Sequence, residues 1–501
     1  MALKRKLLEN YFAQGYSIAA SIVILPAYLT ITGPEAFGLI GLFSLLQACM
    51  KLVDLGFTIT ISREVARLKA KLEAQPRLHA VVLSMERCFW GVSSLLGIAL
   101  LIASPFANDR WIKSASLESG LVTVCFALMA VASVLRWQAA FYRSALTGYE
   151  VLRWISRFEV IVTTFRFPAT LLIMTLFSLN IGFFFACQAV IAASEVFFAR
   201  QKLRRLMGPR PAGVRYSWSE LAPLMPLAMS SAYAGLIGVA LSQFDKLYLS
   251  QLLTLEEFGY FSLITVITTG ILSLTGPITR AFMPRLNAVL AQSESVKLIE
   301  LYRAATRYVV SSITPLAMII SLWPKSVIYA WSGDLKAAQW TAEFLPLYTI
   351  GSAVVSITGL QLYLQQAHGN LTYTTRTATV ALMINIPMVV LCANHGGVAA
   401  VAGGLLVLRL SVFLSIFPFI HRKYAPGLHF QWLLGDCLTT ATLPIFILLC
   451  AKNLLPSSLW SLEKDRVGVM IFLVLITLAA YTAQMIWLRY LNRLRLFPQL
   501  R

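Results

Sequence analysis

Apolar runs of about 20 residues recur along this chain, separated by short polar breaks. A run of that length is what an α-helix needs to cross the hydrocarbon of a bilayer. In lipid every backbone N–H and C=O must be satisfied within the structure, so such runs fold as helices rather than as open strands. Runs of this kind place fourteen spans at roughly 11–31, 37–61, 81–104, 119–142, 158–178, 182–200, 222–251, 257–279, 308–330, 341–364, 377–393, 397–420, 431–452 and 467–488. Two long runs, 158–200 and 377–420, are each read as two spans. They are divided by Ser178-Leu179-Asn180 and by Asn394-His395-Gly396-Gly397, both turn-forming sequences. Only 13% of the residues are charged, about half the roughly 25% usual in soluble domains. The expected class is an all-α, polytopic membrane protein.

The net charge of +20 raises the question of a nucleic-acid partner, and the position of the charges answers it. With the N-terminus in the cytoplasm, 29 of the 42 Lys and Arg fall on the cytoplasmic side, 7 on the opposite side and 6 inside spans. That asymmetry is the positive-inside pattern of membrane topology, so the basic residues mark orientation rather than a nucleic-acid face. Lys4-Arg5-Lys6 before an apolar run resembles a signal peptide, but the run is too long and lacks a cleavage site. It is read as the first span. An even number of spans returns the C-terminus to the cytoplasm, where Arg489, Arg493, Arg495 and Arg501 agree. The outer loops carry no inserted soluble domain.

Charges inside the spans are the candidate functional residues. A charged side chain at the centre of a membrane helix costs roughly 2.5–3.5 kcal/mol and therefore faces other helices or a wet cavity. Lys51 and Asp54 lie in FGLIGLFSLLQACMKLVDLGFTITISREVAR (37–67). Three residues apart on a helix, they share one face and can neutralise each other; a substrate contact and a structural ion pair both fit. Arg136, Arg166 and Arg409 sit in three different apolar runs without an evident local partner. If they line a shared cavity, that cavity is cationic and suits an anionic ligand, because Arg grips phosphate oxygens bidentately. Snorkelling to an interface or bonding to helix carbonyls is the alternative for each. Asp245 and Lys246 are adjacent, so their side chains diverge by about 100°. They are candidates for ion coupling or gating, with pairing to a neighbouring helix as the alternative. Glu195, and Glu86 beside Arg87, complete the set.

The chain repeats itself. At an offset of 221 residues, Glu35-Ala36-Phe37-Gly38 meets Glu256-Glu257-Phe258-Gly259, Tyr142 before Gly148 meets Tyr363 before Gly369, and Arg200 and Lys202 meet His421 and Lys423. Loop type and side of the membrane agree each time. The repeat is parallel, with its axis along the membrane normal, as in transporters made of two equivalent halves. It implies an N-terminal half (1–205), a basic linker (206–219), a C-terminal half (220–425) and two extra helices with a basic tail (426–501). Two such halves imply a central cavity and alternating access. The positions equivalent to Lys51 and Asp54 are Leu272 and Thr275, so that pair belongs to one half only.

Several short motifs carry a family resemblance. They are Gly33-Pro34-Glu35-Ala36-Phe37-Gly38, Val53-Asp54-Leu55-Gly56-Phe57, Ser62-Arg63-Glu64-Val65-Ala66-Arg67, Asp245-Lys246, Glu257-Phe258-Gly259-Tyr260 and Pro284-Arg285-Leu286. Over residues 1–425 the chain resembles the polysaccharide-transport branch, O-antigen flippases included, of the multidrug/oligosaccharidyl-lipid/polysaccharide exporter superfamily. The resemblance implies a flippase, not an enzyme, that moves an anionic polyprenyl-pyrophosphate-linked oligosaccharide across the bacterial inner membrane for surface polysaccharide assembly. It implies no cofactor beyond a proton or sodium gradient. Expected partners are the lipid-linked oligosaccharide, membrane lipids, a polysaccharide polymerase and chain-length machinery. A multidrug exporter of the same fold is the first alternative, although cationic drugs favour an acidic or aromatic cavity. A membrane polymerase or glycosyltransferase is the second, and the short outer loops leave little room for its catalytic groups.

The remaining features have plainer expectations. Seven cysteines without metal-ligand spacing read as small buried hydrophobes. Five histidines (79, 368, 395, 421, 429) read as solvated residues at loops and helix ends. Trp111, Trp323, Trp331, Trp340, Trp460 and Trp487 read as interfacial belts. Gly270, Gly276 and Gly403-Gly404 read as close-packing points. No Walker A sequence is present.

Overall fold

Every regular element among the described residues is a helix, as backbone pairing in lipid requires. A computed structural model describes the chain except for residues 1, 55, 70–74, 111–115, 212, 214–215, 293–294, 369, 461–464 and 494–501. Trp111, Gly369, Arg495 and Arg501, used above as belt, topology or repeat markers, lie outside the described residues. The chain forms two compact units, Met1–Gly259 and Tyr260–Arg501.

The first unit contains α1 (Ala2–Thr32), α2 (Pro34–Val53), α3 (Phe57–Lys69), α4 (Gln75–Arg110), α5 (Ser119–Gly148), α6 (Leu152–Thr164), α7 (Thr170–Leu176), α8 (Ile181–Met207), α9 (Trp218–Leu221) and α10 (Met225–Leu252). α11 (Leu255–Ser273) begins in it. α5 is its hub and packs along α8, α4 and α3. The apolar core gathers around Phe89, whose ring lies 4.3 Å from Trp137 and 5.1 Å from Phe141. α3 contributes Phe57, Ile61, Val65 and Leu68, spaced as one face of a helix.

Residues 37–61 do not form the single helix expected of them. α2 stops at Val53 and α3 starts at Phe57. Between them Gly56 has φ 69°, a left-handed conformation that glycine adopts at little cost. Asp54 therefore sits in a turn, and the shared helix face expected for Lys51 and Asp54 does not form. The run 222–251 is likewise divided: a 3₁₀ turn, Ala222–Leu224, carries Pro223 and leads into α10.

The second unit holds α12 (Thr275–Ala291), α13 (Ser295–Leu322), α14 (Pro324–Ser332), α15 (Leu335–Thr341), α16 (Leu345–Thr358), α17 (Leu360–Ala367), α18 (Thr372–Tyr424), α19 (Leu428–Phe430), α20 (Thr439–Leu454) and α21 (Arg466–Arg493). α18 is two helices joined at Gly396 (φ −141°, ψ 16°) and Gly397 (φ 57°, ψ −149°), at the break expected from the sequence. α20 and α21 pack on α13 through Ile319, Trp323, Leu448, Ile476 and Ala480. Polar bonds fix their register: Gln484 Nε2 donates to Ser311 Oγ (2.9 Å) and Thr440 O (3.0 Å), and Tyr481 Oη donates to Ser312 O (2.5 Å).

Eleven helical segments among the described residues are long and apolar enough to cross a membrane, fewer than the fourteen expected. α18 is counted once despite its break, and the runs at 37–61 and 222–251 are not among the eleven. The chain is a multi-pass membrane protein.

The compact units do not follow the expected halves, because α10 packs on α2 within the first unit. One contact in that unit does have the symmetry of the repeat. A Cβ placed on Gly38 would run into the carbonyl oxygen of Leu255, and one on Gly259 would lie 2.5 Å from the carbonyl oxygen of Pro34. Gly38 and Gly259 are 221 residues apart, and so are Pro34 and Leu255. Reciprocity of this kind is what a two-fold relation produces. Gly38→Ala and Gly259→Ala are expected to destabilise by similar amounts, about 1–3 kcal/mol each, in thermal melts of the purified protein. Gly91→Ala, with no heavy atom near its added methyl, serves as the neutral control; equal melting of all three would contradict the contact.

Candidate functional site: a buried charge seam in the first unit

Three helices of the first unit each present two polar residues seven positions apart. They are Arg136 and Arg143 on α5, Gln188 and Glu195 on α8, and Glu159 and Arg166 on α6 and the turn that follows it. Seven residues are nearly two helical turns, so each pair lies on one face. The faces meet. Arg136 Nη2 donates to Gln188 Oε1, and Gln188 Nε2 donates to the carbonyl of Arg166 (3.0 Å). Arg166 Nη2 donates to Glu195 Oε1. Arg143 Nη1 pairs with the other oxygen of Glu195 (3.2 Å) and with Glu159 Oε2 (3.1 Å). Glu195 is fully buried and Gln188 nearly so. The guanidinium of Arg136 lies 4.8 Å over the Phe43 ring of α2, a favourable place for a desolvated cation. α1 closes the near side, where Ser17 and Thr163 (2.7 Å) and Tyr16 and Thr164 (2.8 Å) share hydroxyl hydrogen bonds.

The local fold places Arg166. Pro168 lacks an N–H and its ring clashes with the carbonyl four residues back. The helix widens into a π turn, Phe165–Ala169, of the kind often found at functional sites. Tyr28 Oη donates to the carbonyl of Phe167 (2.9 Å) and Gln188 Nε2 to that of Arg166 within the π turn. Three arginines against two glutamates leave this seam with one excess positive charge.

Arg136 and Arg166, which have no local partner in the sequence, find theirs across helices in Gln188 and Glu195. Arg409 differs from them. It lies in the second unit, with its Nη1 and Cδ against the backbone of Gly351 in α16, and no ion pair or hydrogen bond of its side chain is found among the described residues. The expected Lys51–Asp54 pair does not form. Asp54 accepts from Thr58 Oγ1 (2.6 Å) and Trp137 Nε1 (3.2 Å), while Lys51 is exposed. Asp245 is buried on α10, and the neighbouring Lys246 Nζ donates to Gln243 Oε1 (3.2 Å).

A second buried charge cluster escaped the sequence reading. Asp436, within the span expected at 431–452, has no exposed surface. It sits in another π-helical stretch, Gln431–Leu438, and accepts from Arg303 Nε (2.6 Å) and Arg307 Nη1 (2.8 Å), four residues apart on α13. Beside it Tyr302 Oη and His421 Nε2 are 3.1 Å apart, and His421 Nδ1 and His429 Nδ1 are 3.3 Å apart. His421 and His79 are buried, not solvated as expected. Trp323 is buried too, so it is not a belt residue.

No family model matches the chain, and no curated protein matches it in sequence. Solved structures match it in fold. One is the lipid II flippase MurJ in an inward closed conformation, with a TM-score of 0.67 at 13% identity over 97% of this chain and 98% of that one. Another is an inward-facing multidrug resistance MATE family transporter of the MOP superfamily, with a TM-score of 0.64 at 13% identity over 81% of this chain and 94% of that one. The MATE multidrug transporter DinF-BH gives 0.56 at 13% identity over 84% of this chain and 95% of that one. A 97% match necessarily takes in most of α20 and α21. The chain has the fold of these membrane transporters.

Removing one partner from a buried ion pair leaves an uncompensated charge and costs about 3–5 kcal/mol. Glu195→Gln should therefore lower stability by that order in detergent melts. Glu195→Gln combined with Arg166→Met should recover part of the loss, because the orphaned cation is gone. A Glu195→Gln melt equal to wild type would contradict the seam.

Proposed function

We propose that this chain is a flippase that carries an anionic lipid-linked oligosaccharide, held by its pyrophosphate, from the cytoplasmic to the outer leaflet of a bacterial inner membrane. The observation that carries the reading is the cationic surplus in the membrane-spanning part. The seam holds three arginines against two glutamates, and Lys51 and Arg409 have no anionic partner among the described residues. An unpaired cation in an apolar helix is expensive, and a ligand bearing phosphate oxygens supplies the missing partner. In this reading Arg136 and Arg166 set the field from a fixed scaffold, Lys51 is the candidate substrate contact of the first unit, and Arg409 is that of the second. The transporter fold supports alternating access, with the lipid tail left in the bilayer. Asp245, a carboxylate buried in α10, is our candidate carrier for a proton or sodium ion that drives the cycle. The expected setting is surface polysaccharide assembly, with both termini in the cytoplasm and a polymerase and chain-length machinery downstream.

Export of cationic drugs is the competing reading, because MATE multidrug transporters share the fold. The carboxylates of the seam argue against it, since the part-exposed Glu159 and the buried Glu195 are both already paired with arginine. Deletion followed by lipid extraction separates the two. Polyprenyl-linked glycan units should accumulate on the cytoplasmic leaflet, and Lys51→Gln or Arg409→Gln should each lower export about ten-fold at unchanged protein level. Normal glycans with heightened drug sensitivity would contradict the proposal.

A further inference from the structure

A cavity of about 400 Å³ opens in the second unit where α13 and α20 end, lined by Leu322, Trp323, Lys325, Ser326, Lys452 and Trp460 among others. We propose that it binds the phosphate headgroup of an anionic membrane lipid. The case rests on an imbalance of donors. Lys325 and Lys452 bring two ammonium groups to the lining. Trp323, 1% exposed, belongs to the lining, and its indole N–H is buried without an acceptor among the described residues. A buried donor left unpaired costs about 1–3 kcal/mol, and native structures rarely tolerate one without an unseen partner. The Ser326 hydroxyl is committed as a donor to the carbonyl of Trp460 (2.8 Å). Among the described residues, no carboxylate, carboxamide or imidazole lines the cavity. The ligand must therefore bring acceptor oxygens and negative charge, which a phosphate diester does.

The surroundings select a lipid over a soluble anion. The Lys452 ammonium lies 5.4 Å over the Trp323 ring and 4.8 Å over the Trp460 ring, and Phe472 of α21 packs 5.8 Å and 5.5 Å from the same two rings. The pair that can meet headgroups is Lys452 with the part-exposed Trp460 at the end of a membrane-spanning helix, and the buried Trp323 backs it from the helix interior. The acyl chains would stay in the bilayer beside α13 and α20. The sequence asymmetry places Lys325 and Lys452 on the outer side, so the headgroup belongs to the outer leaflet. This site gives α20 and α21, which lie outside the internal repeat, a task of their own.

The test uses the full chain in nonionic detergent. It is titrated with phosphatidylglycerol, phosphatidylcholine or inorganic phosphate, and bound molecules are counted by native mass spectrometry. Wild type should retain phosphatidylglycerol in preference to phosphatidylcholine, and millimolar inorganic phosphate should not displace it. Lys325→Gln and Lys452→Gln should each weaken retention about ten-fold. Trp323→Phe, which removes the indole N–H and narrows the ring beneath Lys452, should weaken it several-fold. Melting temperatures measured without added lipid should match wild type for the lysine variants, which shows that they fold. Undiminished phosphatidylglycerol in the double lysine variant would overturn the proposal. So would equal retention of phosphatidylcholine, and displacement by inorganic phosphate would show a free-anion site instead.

Discussion

Three arginines and two glutamates gathered around the fully buried Glu195 join α5, α6 and α8, and much of the first unit follows from keeping them paired. Between helices in lipid the hydrophobic effect offers little discrimination, because the tails are as apolar as the side chains. Partners are chosen by close packing and by polar bonds that have nowhere else to go. Glu195, with no exposed surface, fixes how α8 meets Arg166 and Arg143. The π turn at Pro168 then follows in turn, since it presents the carbonyl that Gln188 needs. The second unit repeats the principle with Asp436 between Arg303 and Arg307, and with Gln484 locking α21 against α13 and α20.

Much of this was legible in the sequence. Run length announced the spanning helices, and Asn394-His395-Gly396-Gly397 marked the break inside α18. The break at 54–56 was hidden, because Gly56 alone signals it and the surrounding residues continue the apolar run. The partners of Arg136 and Arg166 were missed for a different reason. A search within i±3 and i±4 sees only one helix, whereas these arginines are satisfied by Gln188 and Glu195 across helices. The seven-residue spacing of Arg136/Arg143, Glu159/Arg166 and Gln188/Glu195 was a readable signal on three separate helices. Asp436 was readable as well, as an acid within an apolar run. The burial of His421 was not, since it depends on Tyr302 and His429 arriving from other elements.

The structure also sorts the candidate residues by role. Arg136 and Arg166 are committed to the seam, so changing them disturbs folding before function. Lys51 and Arg409 have no anionic partner among the described residues, and the proposed function assigns their charge to a ligand. The fold shared with flippase and multidrug transporter structures at 13% identity carries an architecture but no side chains. The proposal of a lipid-linked glycan over a cationic drug therefore rests on this chain's own charge: a seam with one surplus cation, two further cations without acids among the described residues, and glutamates already paired with arginine.

Transport by the isolated protein tests that distinction most directly. The full chain is reconstituted in liposomes containing a fluorescent polyprenyl-pyrophosphate saccharide, and a membrane-impermeant quencher reports which leaflet holds it. Our account predicts that the protein moves the saccharide between leaflets, and that the Lys51→Gln/Arg409→Gln double variant, folded and inserted as wild type, moves it at least ten-fold more slowly. Uptake of a cationic dye by the same liposomes, with the saccharide left in its original leaflet, would contradict it.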